Sequence, residues 1–494
     1  MRIWLATAVL VIPVLSAQTR PQPARHPNIL LITLDTTRAD RMGFLGSTRG
    51  LTPALDAFAR SAVVFTRAYA QAPITTVSHA TLLTGSYPAA HRVNDFGAPL
   101  PATVPYLPQL FHDAGYRTAA FVGSLILDPR NGTAPGFDRG FDVYDAGFRL
   151  RRPGDDRYRS VERRGDDVVA RALAWSPPSR GRFGEPGPQG PWFLWVHLFD
   201  PHDPYDPPAD LKARFAASPY DGEIAAVDRL VGRLVQSASP DTIVAVTADH
   251  GEALGDHGEE THGVFLYDAV LHVPLVLRLP AIGAGTRIET RVRLADVAPT
   301  LLEAAGMPVP PTMQGQSLMP LVRLPPSPRG GSGGTAKPDA TKSDRPVYAE
   351  TEYPRRAFGW SPLAAWRNDR FLLVRAPKFE LYDLVADPNA TKNLATTRTR
   401  IVDGMSAELR DFLVKSNGSS EPASPKLVGG RPSEGGDPEL AKRLASLGMS
   451  AAAAAPVAPV SIPRIGSRLP TRFTRQSWRW KMARFRRRSR FWRR

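Results

Sequence analysis

Three apolar runs that each end in acidic or imidazole side chains, separated by stretches with helical spacing, predict an α/β protein built on a largely parallel sheet. The first run, Asn28 to Leu34 (NILLITL), ends at Asp35. The second, Trp192 to Leu198 (WFLWVHL), ends in Phe199, Asp200, Pro201 and His202. The third, Thr242 to Thr247 (TIVAVT), ends in Ala248, Asp249, His250 and Gly251. Open α/β sheets place ligands at the C-terminal ends of their strands, so these residue types are where a functional site is expected.

The elements between and after the runs follow from their own patterns. Thr52 to Ala68 and Val104 to Ala114 carry apolar residues at helical spacing, and Gly115 closes the latter as a C-terminal cap. Arg323 to Arg345 is rich in Pro, Gly and Ser and reads as a linker or insertion over 323–345. Val347 to Glu350, Phe371 to Val374 and Phe379 to Tyr382 predict a small sheet within a second, smaller α+β unit over 346–416. From 417 to 494 pattern is lost, apart from a short helical piece at Pro438 to Leu447.

Composition narrows the setting. Arg2, the apolar stretch from Ile3 to Leu15 and the small residues Ser16 and Ala17 have the layout of a secretory signal peptide over 1–17. At about 13 residues and broken by Pro13, the stretch is short of the roughly 20 needed to span a bilayer. The expected destination is therefore periplasmic or extracellular. The chain has no cysteine, which excludes a disulfide framework and any nucleophile made by oxidising cysteine. The formal charge of +16 suggests a polyanion partner until it is located. Arg464 to Arg494 holds 13 Lys or Arg and no acid, so the rest is nearly balanced and gives no reason to expect specific nucleic-acid binding. The interleaved Arg, Trp and Phe of Thr471 to Arg494 suit peripheral contact with an anionic membrane, or else a tail without structure.

Asp35, Asp249 and His250 form the strongest candidate set. Carboxylate oxygens plus an imidazole at neighbouring strand ends make a divalent-cation site. A lone Asp there is ordinarily a helix N-cap. The wording ADHGEALGDHG (248–258) goes further, with glycines that let backbone approach a ligand closely. Thr75 to Gly85 (TTVSHATLLTG) puts a hydroxyl cluster before an apolar helical run, which by itself reads as a cap made by Thr75 or Ser78.

The segments LITLDTTRADRMGFLG, TPALDAFARSAVVFTRAYA, SHATLLTGSYP, FDPHDPYDPP, ADHGEALGDHG, YDAVLHVPLV, GQSLMPL and FELYDLVADPNATKNLA resemble sulfatase-family motifs, in the family's order, across roughly residues 27 to 395. The resemblance implies an alkaline-phosphatase-like mixed sheet sandwiched by helices, with the catalytic domain over 27–322. It makes Asp35, Asp249 and His250 metal ligands and puts Thr75 at the position of the family's oxidised Cys or Ser, as both nucleophile and ligand. It sets His79 where sulfatases have Arg, and implies His202 and His262 as groups on the substrate or leaving oxygen. By resemblance the ion is Ca²⁺, with Mn²⁺ and Zn²⁺ compatible with the donor set. A two-metal variant would add Asp200, His202 and His262 as a second site. His197 reads as a core histidine, His257 as a support to the site and His272 as structural. Arg38 reads equally as a substrate contact or an ion pair.

The departures matter. Thr36 replaces a second metal carboxylate, Val77 replaces the signature Pro, and Gly123-Ser124-Leu125-Ile126 stands where sulfatases often read Gly-Lys-Trp-His. The β-methyl of threonine prevents oxidation to an aldehyde, so Thr75 would act as an alkoxide. The expectation is a metal-dependent hydrolase or transferase of anionic sulfate or phosphate esters with a covalent Thr75 intermediate, phosphoesters favoured. The competing class is a sulfatase-like metal and anion binder without turnover.

Overall fold

The computed structural model describes residues 26–148, 163–175, 190–280, 282, 285–323, 345–358 and 360–416. The leader expected at 1–17, nearly all of the 323–345 segment, the helical piece expected at 438–447 and the basic tail lie outside them. Among the described residues no helix is long and apolar enough to cross a membrane.

All three apolar runs are strands. With β1 as Ile29–Leu34, β2 as Val63–Tyr69, β3 as Arg117–Val122, β4 as Val143–Asp145, β5 as Trp192–Leu198, β6 as Ile243–Ala248, β7 as His272–Arg278, β8 as Arg287–Ile288 and β9 as Val292–Arg293, the large sheet runs β4-β3-β5-β1-β6-β7-β2-β8, with β9 also on β2. From β4 to β6 every pairing is parallel, while β7 is antiparallel to both β6 and β2. The sheet is therefore mixed, and every residue of β1, β5 and β6 is buried. Helices such as Pro219–Ser237 and Val297–Ala304 bury apolar faces in one core with it.

The helical reading of Thr52 to Ala68 is corrected. The helix is only Pro53–Arg60, and Val63–Tyr69 is a strand with a bulge between Phe65 and Ala68. The β-branched and aromatic VVFTRAY segment fits a pleated sheet between β7 and β8, and that tertiary pairing overrides the helical spacing. The second helical expectation is met over Leu107–Asp113, with Gly115 at φ 85° as its stop.

Four antiparallel strands, β10 (Val347–Thr351), β11 (Leu363–Arg367), β12 (Phe371–Arg375) and β13 (Glu380–Asp383), form the smaller sheet in sequential order. Strand β11 (LAAWR), with two alanines and a polar end, has no sequence signature. The Thr399–Ser416 helix covers this sheet with Val402, Met405, Leu409 and Leu413.

Register sets the site. Leu34 of β1 pairs with Leu198 of β5 and Ala248 of β6, so the residues that follow all three strands emerge side by side at one edge. Gly251 lies where the chain leaves that edge, and a Cβ there would stand 2.1 Å from the Ala269 carbonyl oxygen, which cannot retreat as a side chain would. Gly251→Ala is expected to lower stability by about 3 kcal/mol, seen as an earlier denaturation midpoint. An unchanged midpoint would show that this approach is not fixed.

Candidate active site

Asp35 leaves β1 and Asp249-His250 leave β6, and all three are completely buried. One donor atom from each lies within 4.8 Å of the others. Thr75 opens the Thr75–Thr84 helix, whose N-cap is Ile74 and which no side chain caps. The Thr75 hydroxyl is 3.4 Å from Asp35 Oδ1 and 3.3 Å from His250 Nε2. Ser78 donates instead to the Asp249 carbonyl at 2.6 Å. Neither hydroxyl serves as the helix cap that the sequence pattern alone suggests. The positive end of the helix therefore lies, uncapped by any side chain, beside Asp35 and His250.

The donor set fits a divalent cation on geometric grounds. His250 Nδ1 donates to the Gly251 carbonyl at 3.0 Å, so the neutral ring turns a bare Nε2 inward. That lone pair meets Asp35 Oδ1 and Asp249 Oδ2, each at 3.6 Å. The Thr75 hydroxyl has only one hydrogen for these acceptors, and among the described residues Asp249 Oδ2 has no hydrogen-bond partner. Two buried carboxylates beside a bare imidazole nitrogen are costly unless a cation joins them. Asp35 Oδ1, Asp249 Oδ2, His250 Nε2 and the Thr75 hydroxyl are the atoms that would hold it. The hydroxyl of Thr36 is also buried without a partner among the described residues, at φ 46°, an uncommon conformation for a β-branched residue.

Electrostatics agree. Burial first, then the neighbouring Asp35 charge, pushes Asp249 up to about 7. Burial raises Asp35 well above the usual carboxylate range, against hydrogen bonds from Thr75 and the Thr36 amide. Burial lowers His250 to about 4 and His262 to about 3.

The remaining expected residues fall in two places. His202 and His262 meet at Nε2 to Nε2, 3.2 Å, and the His262 ring centroid lies 4.4 Å from that of His250. His262 Nδ1 faces the Pro73 carbonyl at 3.0 Å and His202 Nδ1 faces the Asp203 carbonyl at 2.6 Å. His79 lies on the opposite, inner side. It is fully buried, its Nδ1 donates to the Thr75 carbonyl at 2.8 Å, and its Nε2 meets Thr33 at 3.0 Å. It stands 3.6 Å from Asp249 Oδ2. The imidazole in the Arg position is thus turned to the Thr75 carbonyl, Thr33 and the Asp249 carboxylate.

Of the residues of the two-metal variant, His202 and His262 meet while Asp200 turns to a helix amide. Asp200 accepts from the Gly165 amide at 2.9 Å, at the start of the Gly165–Trp175 helix, and joins no metal-type cluster among the described residues. His197 sits in the core yet brings Nε2 to 3.5 Å from Asp35 Oδ2. His257 stacks on Tyr267 and His272 on Tyr69. Arg38 is engaged by Asp40, Asp256 and the carbonyls of Glu252 and Ala253. Glu259 has no signal in the sequence, although it accepts from the amides of Val264 and Phe265 and so braces the turn that carries His262. Burial pushes its carboxyl up to about 8.

Comparison with known proteins gives a consistent answer. A sulfatase family model matches residues 27–307. Uncharacterized sulfatase YidJ of Escherichia coli (strain K12) is 24% identical over 438 residues, covering 75% of this chain and 83% of its own. Delta 4,5-hexuronate-2-O-sulfatase of Bacteroides thetaiotaomicron is 25% identical over 449 residues, covering 80% and 90%. Among solved structures, the phosphonate monoester hydrolase SpPMH from Silicibacter pomeroyi superposes with a TM-score of 0.60 at 22% identity, covering 80% of this chain and 96% of that one. At that identity it shows the shared fold.

The ligand imidazole of His250, held down to about 4 by burial, is neutral above about pH 6.5 whether or not a cation is bound, so protons displaced by the ion come from the carboxylates. Calorimetric titration with Mn²⁺ near pH 6.5, in buffers of different ionisation enthalpy, is expected to show about one proton released per ion. Apparent affinity should rise as pH passes through about 7. PH-independent binding would place the ion elsewhere.

Proposed function

The chain belongs to the sulfatase family, and on that premise we propose that this ester hydrolase works through a covalent intermediate on Thr75, with phosphoesters preferred to sulfate esters. The observation that carries the reading is the position of the Thr75 hydroxyl, 3.4 Å from Asp35 Oδ1 and 3.3 Å from His250 Nε2 at an uncapped helix N-terminus. When bound there, a divalent cation supplies Lewis acidity that makes a threonine hydroxyl an effective nucleophile near neutral pH.

The chain's own residues provide the rest. The amides at the start of the Thr75–Thr84 helix face the non-bridging oxygens of an anionic ester in line with Thr75. Each of His202 and His262 has Nδ1 against a carbonyl that can only accept, so each Nδ1 keeps its hydrogen. The facing Nε2 atoms at 3.2 Å then hold one proton between them, which is the general acid for the leaving oxygen. Once the leaving group departs, the pair is left as the base that activates water for release of the intermediate. A threonine ester carries no second hydroxyl on the attacked carbon, so release requires attack at the phosphorus or sulfur.

Charge supports a phosphodiester or phosphonate-type monoanion. Two carboxylates, a divalent ion and the single proton of the His202–His262 pair sum to one positive charge, burial keeping His79 neutral, and this matches a monoanion. Such a site does not compensate a dianion. The neutral side chains of Ser124, Leu125 and Ile126 supply no further cation. The ion by resemblance is Ca²⁺, with Mn²⁺ and Zn²⁺ as the alternatives that the donor set accepts. The leader at 1–17 supports action outside the cytoplasm.

Thr75→Ala is expected to lose at least about 10³-fold in kcat on bis-p-nitrophenyl phosphate while retaining its ion by elemental analysis. The parent enzyme should turn over that diester faster than p-nitrophenyl sulfate. Wild-type turnover in Thr75→Ala would refute the covalent mechanism. A sulfate ester processed faster than the diester would reverse the substrate preference.

A further inference from the structure

Behind the metal carboxylates lies a buried polar group of four side chains from three distant stretches of sequence. Thr33, on β1, is fully buried, as are His79, Trp195 and His197. The Thr33 hydroxyl receives the Trp195 indole N–H at 3.0 Å, meets His79 Nε2 at 3.0 Å and meets His197 Nδ1 at 3.1 Å. A hydroxyl has one hydrogen to give and two lone pairs to receive. The indole is a donor only and takes one lone pair, so of the two imidazoles one must accept from Thr33 and the other must donate to it.

The Thr75 carbonyl decides which. It only accepts, and His79 Nδ1 lies 2.8 Å from it, so His79 carries its hydrogen on Nδ1 and receives the Thr33 hydrogen on Nε2. His197 must then donate Nδ1–H to Thr33, which turns its Nε2 toward Asp35 Oδ2 at 3.5 Å. His79 Nδ1 meanwhile lies 3.6 Å from Asp249 Oδ2. The Thr75 carbonyl fixes the His79 tautomer, and the Thr33 hydroxyl passes that choice to His197 and ties together both rings that stand behind the two metal carboxylates. One of those rings also holds the carbonyl of Thr75. Among the described residues, neither Asp35 Oδ2 nor His197 Nε2 has a hydrogen-bond partner, so their juxtaposition is maintained from behind by the hub.

We infer that Thr33 is a positioning residue for the cation site and nucleophile, acting through His79 and His197 on Asp249, Asp35 and Thr75. The inference rests on the cation reading under Proposed function. Partners of this kind typically change metal affinity by about 10- to 100-fold when removed.

The test is Mn²⁺ binding by equilibrium dialysis, with the Mn²⁺ paramagnetic resonance line shape as a second readout. Wild type, Thr33→Val and Thr33→Ser are compared, and melting of the metal-free proteins is followed in parallel. Thr33→Val keeps the shape and removes the hydroxyl, and is expected to weaken Mn²⁺ about 10- to 100-fold and alter the line shape. Thr33→Ser restores the hydroxyl and should return both to near wild type. A purely structural role would lower the melting temperature of Thr33→Val and leave its Mn²⁺ affinity unchanged, which would overturn the inference. If Thr33→Val does not fold, His197→Asn takes its place, because the amide can still reach Thr33 from the Nδ1 position but presents nothing to Asp35. Unchanged affinity there would overturn the inference equally. Failure of wild type itself to bind Mn²⁺ would remove the cation reading, and the hub's role with it.

Discussion

Two carboxylates at the ends of adjacent parallel strands, both cut off from water, are the constraint on which this structure turns. Asp35 and Asp249 are completely buried at one sheet edge, and the imidazole nitrogen between them presents a lone pair, not a hydrogen. Such an arrangement is unfavourable as a set of bare charges and favourable around a cation. The parallel register of β1 and β6 creates it, because strands that run in opposite directions would send these residues to opposite edges.

The rest of the fold accommodates that edge at some local cost. Thr36 takes a positive φ immediately after Asp35. Gly251 lets the loop after His250 close onto the Ala269 carbonyl, where any side chain would collide. Strain of this sort persists when surrounding packing over-determines it, here by the fully buried strands on either side. The smaller sheet contributes as well. Thr351, at the end of β10, donates to the Gly263 carbonyl at 2.6 Å, and Tyr353 packs against the cluster of Ala72, Ile74 and Val77 where the Thr75–Thr84 helix begins. The second sheet thus holds both the turn carrying His262 and the segment carrying Thr75.

What the sequence made legible was what short-range pattern encodes. Apolar runs of strand length that stop at Asp35, Asp200 and Asp249 marked three strands and the edge where they end. Spacing failed at Val63–Tyr69, where pairing with two distant strands decides the conformation. It missed β11, whose alanines carry no alternation. At the site, resemblance aligned residue types but not directions. His79 occupies an Arg position, yet its shorter ring is held by the Thr75 carbonyl and Thr33 and cannot extend outward. Asp200 sits beside His202 in sequence, but its carboxylate goes to a helix amide. Thr33 was invisible because a threonine within a strand is ordinary, and only the folded chain brings residues 33, 79, 195 and 197 together.

Depth divides the histidines into two working classes. His79, His197 and His250 are fully enclosed, where burial suppresses the charged form and leaves each ring to hold or bind through a fixed tautomer. His202 and His262 occupy the outer side, with His262 only partly buried and their Nε2 atoms facing each other at 3.2 Å. On the proposed mechanism, acid and base work is thereby separated from the cation ligands within one continuous cluster. A proton that must leave with an alcohol needs contact with the outside, whereas a ligand to a cation needs isolation from it. The sheet edge satisfies both by placing His262 against His250, the two rings tilted at 39° with centroids 4.4 Å apart.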